Sequence, residues 1–389
     1  MQRLIVFVFV VGACLLAAAG RADAYPQFQF SSGTNKCSQC HYSPAGGGLI
    51  TQWGRDESGD TISLGGDGGF LHGAWSPPSW LALGADVRLA TTYLNDDGQE
   101  SPRIAFFPMQ ADAYLRFAFT DAFSLYVTAG ARGEVRPADE SISARFTTLG
   151  DRFISREHYL MWRPSATGPY ARVGRFYAPY GIRFVEHIYY VRRYTGYELY
   201  NETYTASGGY VADDWELHVS AFTPPPASFP DSFQAVGARE SGGALYFEKR
   251  LAGMAALAAQ GRLGFGDQMN RFQGGAIGKL WVEQAKVLLL TEADFIRQEV
   301  KAAFYAQHQL VAYAGATVFP LPGTMVGLFY ERFQENLSVK DTARNAYNLQ
   351  INFFPWAHFE LMGILRYQTL AGPNDPDTLL GMLQLHYYL

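Results

Sequence analysis

From residue 79 to the C-terminus, hydrophobic and polar positions alternate with a period of two. Along Trp80 to Tyr93, Leu81, Leu83, Ala85, Val87, Leu89 and Tyr93 fall on one face, and Asp86, Arg88 and Thr92 on the other. Between Met109 and Phe119, Ala111, Ala113, Leu115, Phe117 and Phe119 oppose Gln110, Asp112, Tyr114 and Arg116. Phe123, Leu125, Val127 and Ala129 likewise oppose Ser124, Thr128, Arg132 and Glu134. Near the end, Tyr347, Leu349, Ile351 and Phe353 oppose Asn348, Gln350 and Asn352. Residues two apart share a face only in a strand, so this pattern predicts strands rather than helices. The segments 79–94, 103–119, 122–136, 152–163, 169–177, 203–212, 214–223, 240–250, 254–265, 271–283, 285–298, 302–318, 324–336, 343–354, 357–369 and 378–389 give about sixteen of them.

Alternation alone fits any half-buried antiparallel sheet. Three features favour a transmembrane barrel over a soluble sandwich. The strands are long enough to cross a bilayer at a tilt, the polar face repeatedly carries charges, and the chain ends inside a strand. Every second connection is tight, as at Thr120-Asp121, Ala212-Asp213-Asp214, Leu251-Ala252-Gly253, Pro320-Leu321-Pro322-Gly323 and Pro355-Trp356-Ala357. The others tend to be longer, at 94–103, 136–152, 177–203, 223–240 and 369–378, which matches short periplasmic turns and longer outer loops. Composition agrees: aromatic residues make up 15% and charged residues only 17% of the chain, against about 25% charged in an ordinary soluble domain. The fold class is therefore all-β, a transmembrane antiparallel β-barrel of about sixteen strands over 79–389.

The first 78 residues read differently. Met1-Gln2-Arg3, the apolar run Leu4 to Gly20 and the small-residue site Ala22-Asp23-Ala24 describe a signal peptide over 1–24. A lipoprotein-type reading of Val11-Gly12-Ala13-Cys14 is the rival. The apolar residues after Cys14 and the A-x-A site beyond them favour cleavage before Tyr25. Cys37 and Cys40 are then the only thiols of the exported chain, in Cys37-Ser38-Gln39-Cys40-His41. This C-x-x-C-H spacing offers two thiols to the vinyl groups of one porphyrin and an imidazole to its iron. A local disulfide is one alternative. A zinc half-site is another, but it needs further ligands that no second cysteine pair supplies. The expected cofactor is one covalent c-type haem on Cys37, Cys40 and His41. For the iron's sixth position the nearest downstream candidate is His72, in a Gly-rich stretch that could equally be a solvated loop. Met109, His386 and an open position remain alternatives. The segment 25–78 is too short and too rich in glycine to build much core of its own, so the haem is expected against the barrel, at its periplasmic mouth or inside it.

The longest connection, Ala178 to Glu202, gathers Arg183, Glu186, His187, Arg192, Arg193 and Glu198 among tyrosines. It is either an exposed aromatic loop or an inward-folded constriction with charged side chains, and Arg175 and Tyr177 stand at its entrance. A net charge of −5 offers no basic patch for nucleic acid. No Gly-rich phosphate loop follows a strand and opens a helix. The glycines at 46–48 and 65–69 read as turns around the haem.

The run Cys37 to Gly54, with Pro44, Gly46-Gly47-Gly48, Thr51 and Trp53, resembles the mature N-terminus of certain Gram-negative outer-membrane proteins. In those chains a single c-type haem motif precedes a porin-like barrel. Val173-Gly174-Arg175-Phe176 through Arg183, and Phe354 to Glu360, also resemble porin segments. The C-terminal strand, with Leu379, Leu383, Leu385 and Tyr387, is similar to the assembly signal of such proteins, with Leu389 where Phe is commoner. The resemblance implies a cytochrome–porin fusion in the outer membrane, haem on the periplasmic side, with Cys37, Cys40 and His41 carried over directly. Two functions follow, the first the main expectation and the second its alternative. One is electron transfer with a periplasmic cytochrome or a partner inserted in the lumen. A lone porphyrin is shorter than the roughly 25 Å apolar band, so a wide lumen would favour this. The other is a solute channel whose haem is structural, gating or redox-sensing, which a narrow inward-folded third loop would favour. No enzymatic acid–base pair stands out. Homo-oligomers are compatible with either.

Overall fold

The alternating segments become the staves of one closed sheet. The computed structural model describes residues 26–96, 101–131, 153–198, 201–225, 239–303, 305–370 and 376–389. The expected signal peptide, its cleavage site and Cys14 lie outside these residues, as does the connection at 136–152. The strands are β1 (Leu81–Asp96), β2 (Arg103–Ala118), β3 (Phe123–Ala131), β4 (Phe153–Ile154), β5 (His158–Trp162) and β6 (Gly168–Phe176). Next come β7 (Thr203–Val211), β8 (Trp215–Thr223), β9 (Glu240–Leu251), β10 (Ala255–Gly266), β11 (Met269–Val282) and β12 (Val287–Val300). The last are β13 (Tyr305–Leu321), β14 (Thr324–Gln334), β15 (Ala343–Trp356), β16 (Phe359–Leu370) and β17 (Thr378–Tyr388). β4 and β5 both pair with β3 and form one interrupted stave, so the seventeen strands of the sheet make sixteen staves. All pairings are antiparallel between chain neighbours, and β17 closes on β1 with Tyr388 opposite Asp86. The sheet thereby closes on itself, the condition for strands to cross a hydrocarbon layer.

Burial runs opposite to that of a soluble sandwich. Val219, Leu257 and Leu328 are 52%, 60% and 64% exposed, while Glu216, Glu248, Asp294 and Glu331 are at most 4% exposed. The apolar face therefore looks outward, where only lipid suits it, and the polar face looks into the barrel. This inversion decides against the sandwich. The turns at 118–123, 211–215, 251–255, 282–287 and 356–359 lie at the same end of the barrel as the start of β1.

The barrel interior is not the open watery lumen that the charged face suggested. Residues 26–63 sit within it as a plug and borrow its walls for a core, while 64–75 run over the turns at the rim. Phe28 packs 5.5 Å from the Phe354 ring, and Leu49, 1% exposed, joins Tyr126, Tyr159 and Phe176. Backbone and polar ties reinforce the seat. The Leu49 amide donates to the Tyr126 hydroxyl at 3.1 Å, and Gln29 Nε2 donates to Glu248 at 3.2 Å. A segment too small to bury its own apolar groups is thus stabilised by the cylinder around it.

Candidate functional site

The site begins with a turn of helix, Cys37–Cys40, ending on His41. One helical turn places both cysteines near each other, and no disulfide joins them. Gly46, Gly47 and Gly48 then occupy the left-handed region at φ 80°, 80° and 65°, a sequence of conformations that side-chain-bearing residues resist. This turn brings the chain back over His41. The Gly48 carbonyl lies 3.3 Å from His41 Nδ1. A proton on Nδ1 donated to that carbonyl leaves Nε2 as the lone-pair nitrogen, the arrangement of a metal-ligating imidazole. The following helix, Gln52–Asp60, is capped by the Thr51 hydroxyl accepting from the Gly54 amide. Gly54 packs so close that a Cβ there would meet the Cys40 carbonyl.

Cys37, Cys40 and His41 line one cavity between the plug, the inward loop and the wall. The plug contributes one side, with Phe28, Ile50 and Ile62. The start of the long outer connection contributes Tyr180, Ile182 and Arg183. Inward positions of the wall supply Glu216, His218, Tyr246 and Lys279. Burial pushes the Cys37 thiol up to about 11, with Glu216 adding to the effect. It pushes the His41 imidazole down to about 4, against the pull of the Gly48 carbonyl. His41 is thus neutral at ordinary pH, the form that binds a metal. Two thiols one turn apart, a neutral imidazole with an oriented ring and a mostly apolar cavity fit a covalently held porphyrin.

His72 is placed elsewhere. It adopts φ 56°, packs edge-on to His358 with ring centroids 4.7 Å apart and lies 3.2 Å from the Tyr387 hydroxyl. It is not among the residues lining the cavity. Neither is Met109, which faces a separate space beside Arg88 and Asp112. His386 is held between Asp86 at 2.9 Å and Glu360 at 2.7 Å. The glycines at 46–48 do wrap the motif, but those near 65–69 meet the barrel turn instead, where the Gly69 carbonyl lies 3.1 Å from His358 Nε2. His218 and Lys279, the latter ion-paired with Glu248, line the cavity but carry no signal in the sequence that marks them for it. His218 shares the inward face of β8 with Glu216, but nothing local says which wall faces the motif.

The long connection folds inward. Tyr189 and Tyr190, the cap and first residue of the short helix Tyr190–Arg193, are 0% and 1% exposed. Tyr189 bonds to Gln350 and the Tyr190 amide to Glu331, both on the far wall. Gln350 Nε2 donates to Glu186 at 2.8 Å, and the Ile182 amide donates to Glu292 at 2.8 Å. Arg192 donates to the Phe184 and Val185 carbonyls, each at 2.7 Å, and so fixes the loop upon itself. Burial pushes the Glu186 carboxyl up to about 7. His187 and Arg192 line a pocket with Arg88, Asp112 and Arg156, and Tyr177 lines a neighbouring one. Of the charges expected at the neck, Arg193 and Glu198 instead form a half-exposed pair at 3.7 Å.

No protein-family model matches the chain, and no curated protein does either. Solved structures do. OmpT, an outer-membrane protein of Vibrio cholerae, superposes with a TM-score of 0.59 at 12% identity over 81% of this chain and 99% of that one. OprB of Pseudomonas putida gives 0.60 at 10% identity over 79% and 94%. An anion-selective porin from Comamonas acidovorans gives 0.56 at 10% identity over 79% and 99%. What these likenesses carry is the fold: a closed, antiparallel, sixteen-stave barrel of the kind found in outer-membrane porins.

Proposed function

We propose that this chain is an outer-membrane channel of the porin type, closed by its own N-terminal plug, which carries one c-type haem. Cys37 and Cys40 attach the haem and His41 ligates its iron. The bound group would supply a one-electron redox change inside the channel. The channel reading is supported by the porin-type barrel, and it is preferred to electron transfer because the plug and the inward loop meet around one cavity at the C-x-x-C-H motif. Space for an inserted cytochrome was the condition for electron transfer across the membrane, and these two elements occupy it. Electron exchange with a periplasmic protein then serves to set the redox state of the plug rather than to wire the membrane. Trimeric assembly, the form in which Vibrio cholerae OmpT has been described, belongs to the same proposal and is read by cross-linking.

The test is the detergent-purified chain from a haem-competent host. Its mass should exceed that of the polypeptide by one haem, and its absorption should change on reduction. In planar bilayers its conductance should be low and should differ between oxidised and reduced protein. A colourless chain removes the haem, and a chain that conducts in neither state removes the channel.

A further inference from the structure

The cavity at the C-x-x-C-H motif is lined by three cations, and two of them are already paired. Lys36 lies 2.8 Å from Asp213, and Lys279 lies 2.7 Å from Glu248. Arg183, on the inward loop, is different. Its Nη1 donates to the Ala45 carbonyl at 3.2 Å, and its Nη2 lies 3.7 Å from where a Cβ on Gly47 would be. Among the described residues no carboxylate makes an ion pair with it. Glu157 is the acidic group that acts on it most, without pairing, and burial pushes the guanidinium below its ordinary range. Arg183 also acts electrostatically on both Cys37 and His41. A half-buried guanidinium with no ion-paired carboxylate has donors to spare, and its planar fork suits a carboxylate.

A haem carries two propionate carboxylates, on the porphyrin edge opposite the vinyl groups that Cys37 and Cys40 would bond. We infer that Arg183 receives one of these propionates, so that the inward loop and the plug are joined through the bound cofactor. The inference rests on the haem reading above. It assigns to Arg183 a positioning role beyond that of a charge at the channel neck.

Redox titration of the full chain from pH 5 to pH 8 tests it, with Arg183→Gln and Arg183→Lys beside the native protein. Covalent haem is first read by mass, so that a haem-free chain counts against the haem reading and is not confused with the rest. Native protein should hold a nearly flat midpoint potential, because a paired propionate stays ionised. In Arg183→Gln the potential should fall at pH 8, since a nearby cation no longer disfavours the oxidised iron. It should then climb as pH drops, since a buried carboxylate without its cation titrates above the ordinary range of about 4. The propionate bending band in the resonance Raman spectrum should shift. A potential lowered equally at every pH, with that band unmoved, would mean charge proximity alone and overturns the contact. Should the glutamine chain fail to insert, Arg183→Lys carries the test. It keeps the charge but loses the fork, so the potential at pH 8 should be retained while the band shifts, and an unmoved band again overturns the contact.

Discussion

At the level of single residues, the motif works because its neighbours are glycines. A Cβ on Gly46 would lie 3.1 Å from Cys37 Cβ and 3.6 Å from its Sγ. Gly46→Ala also places a side chain in the left-handed region, at a cost of about 1–2 kcal/mol. The mutant should therefore show reduced haem loading by mass, with its migration as a folded barrel preserved. Replacing both Cys37 and Cys40 by alanine should abolish covalent haem altogether and still yield an inserted barrel. His72→Ala is expected to leave the oxidised and reduced absorption spectra unchanged, because His72 lines another part of the molecule, beside His358 and Tyr387. An altered spectrum would show that His72 reaches the iron after all.

Among the elements, the inward loop is the one with a titratable hold on the wall. Glu186 Oε1 accepts from Gln350, and Oε2 is buried with no hydrogen-bond partner. Its carboxyl is raised to about 7 by burial, with Glu360 adding to the rise and Arg88 opposing it. A carboxyl that holds its proton more tightly in the folded loop than in an exposed one stabilises the inward position at low pH. That contribution is complete below about 4.3 and is lost as pH rises through about 7. Conductance should consequently increase between pH 5 and pH 8, and Glu186→Gln should flatten the dependence. A native conductance that is constant over this range would refute the assignment. The strands make a separate prediction. Val219 sits at the middle of β8 and is 52% exposed on the outer face. Val219→Arg should cost about 2–4 kcal/mol in denaturant unfolding from lipid, the range for a charge at the bilayer midplane.

Across the whole molecule, the barrel and its contents divide the labour. The cylinder supplies the closed hydrogen-bond network that a membrane demands, and the plug supplies the chemistry. Neither the plug nor the loop fills the interior alone, and the cavity at Cys37, Cys40 and His41 takes its walls from both and from β8, β9 and β11. Removing residues 26–75 should raise single-channel conductance well above that of the full chain, and to the same level under oxidising and reducing conditions. A deletion that still responds to reductant would place the redox sensitivity elsewhere.

The strands, their number and the inside-out polarity were legible in the sequence, because a period of two is a local property that one buried and one exposed face impose directly. Even the alternation of tight and long connections could be read, since turn chemistry is local. The C-x-x-C-H motif was legible for the same reason: its geometry lies within a single turn. Glycine spacing beside it was visible too, though only the fold showed that 46–48 serves the motif and 65–69 serves the barrel turn. The tertiary structure alone decided which wall faces the cysteines, so His218, Lys279 and Tyr246 were out of reach of sequence reasoning. It also decided that the long connection turns inward and that the lumen is filled. Those outcomes depend on contacts across more than a hundred residues of chain, such as Tyr189 with Gln350 and Gln29 with Glu248. No local pattern records a partner that distant.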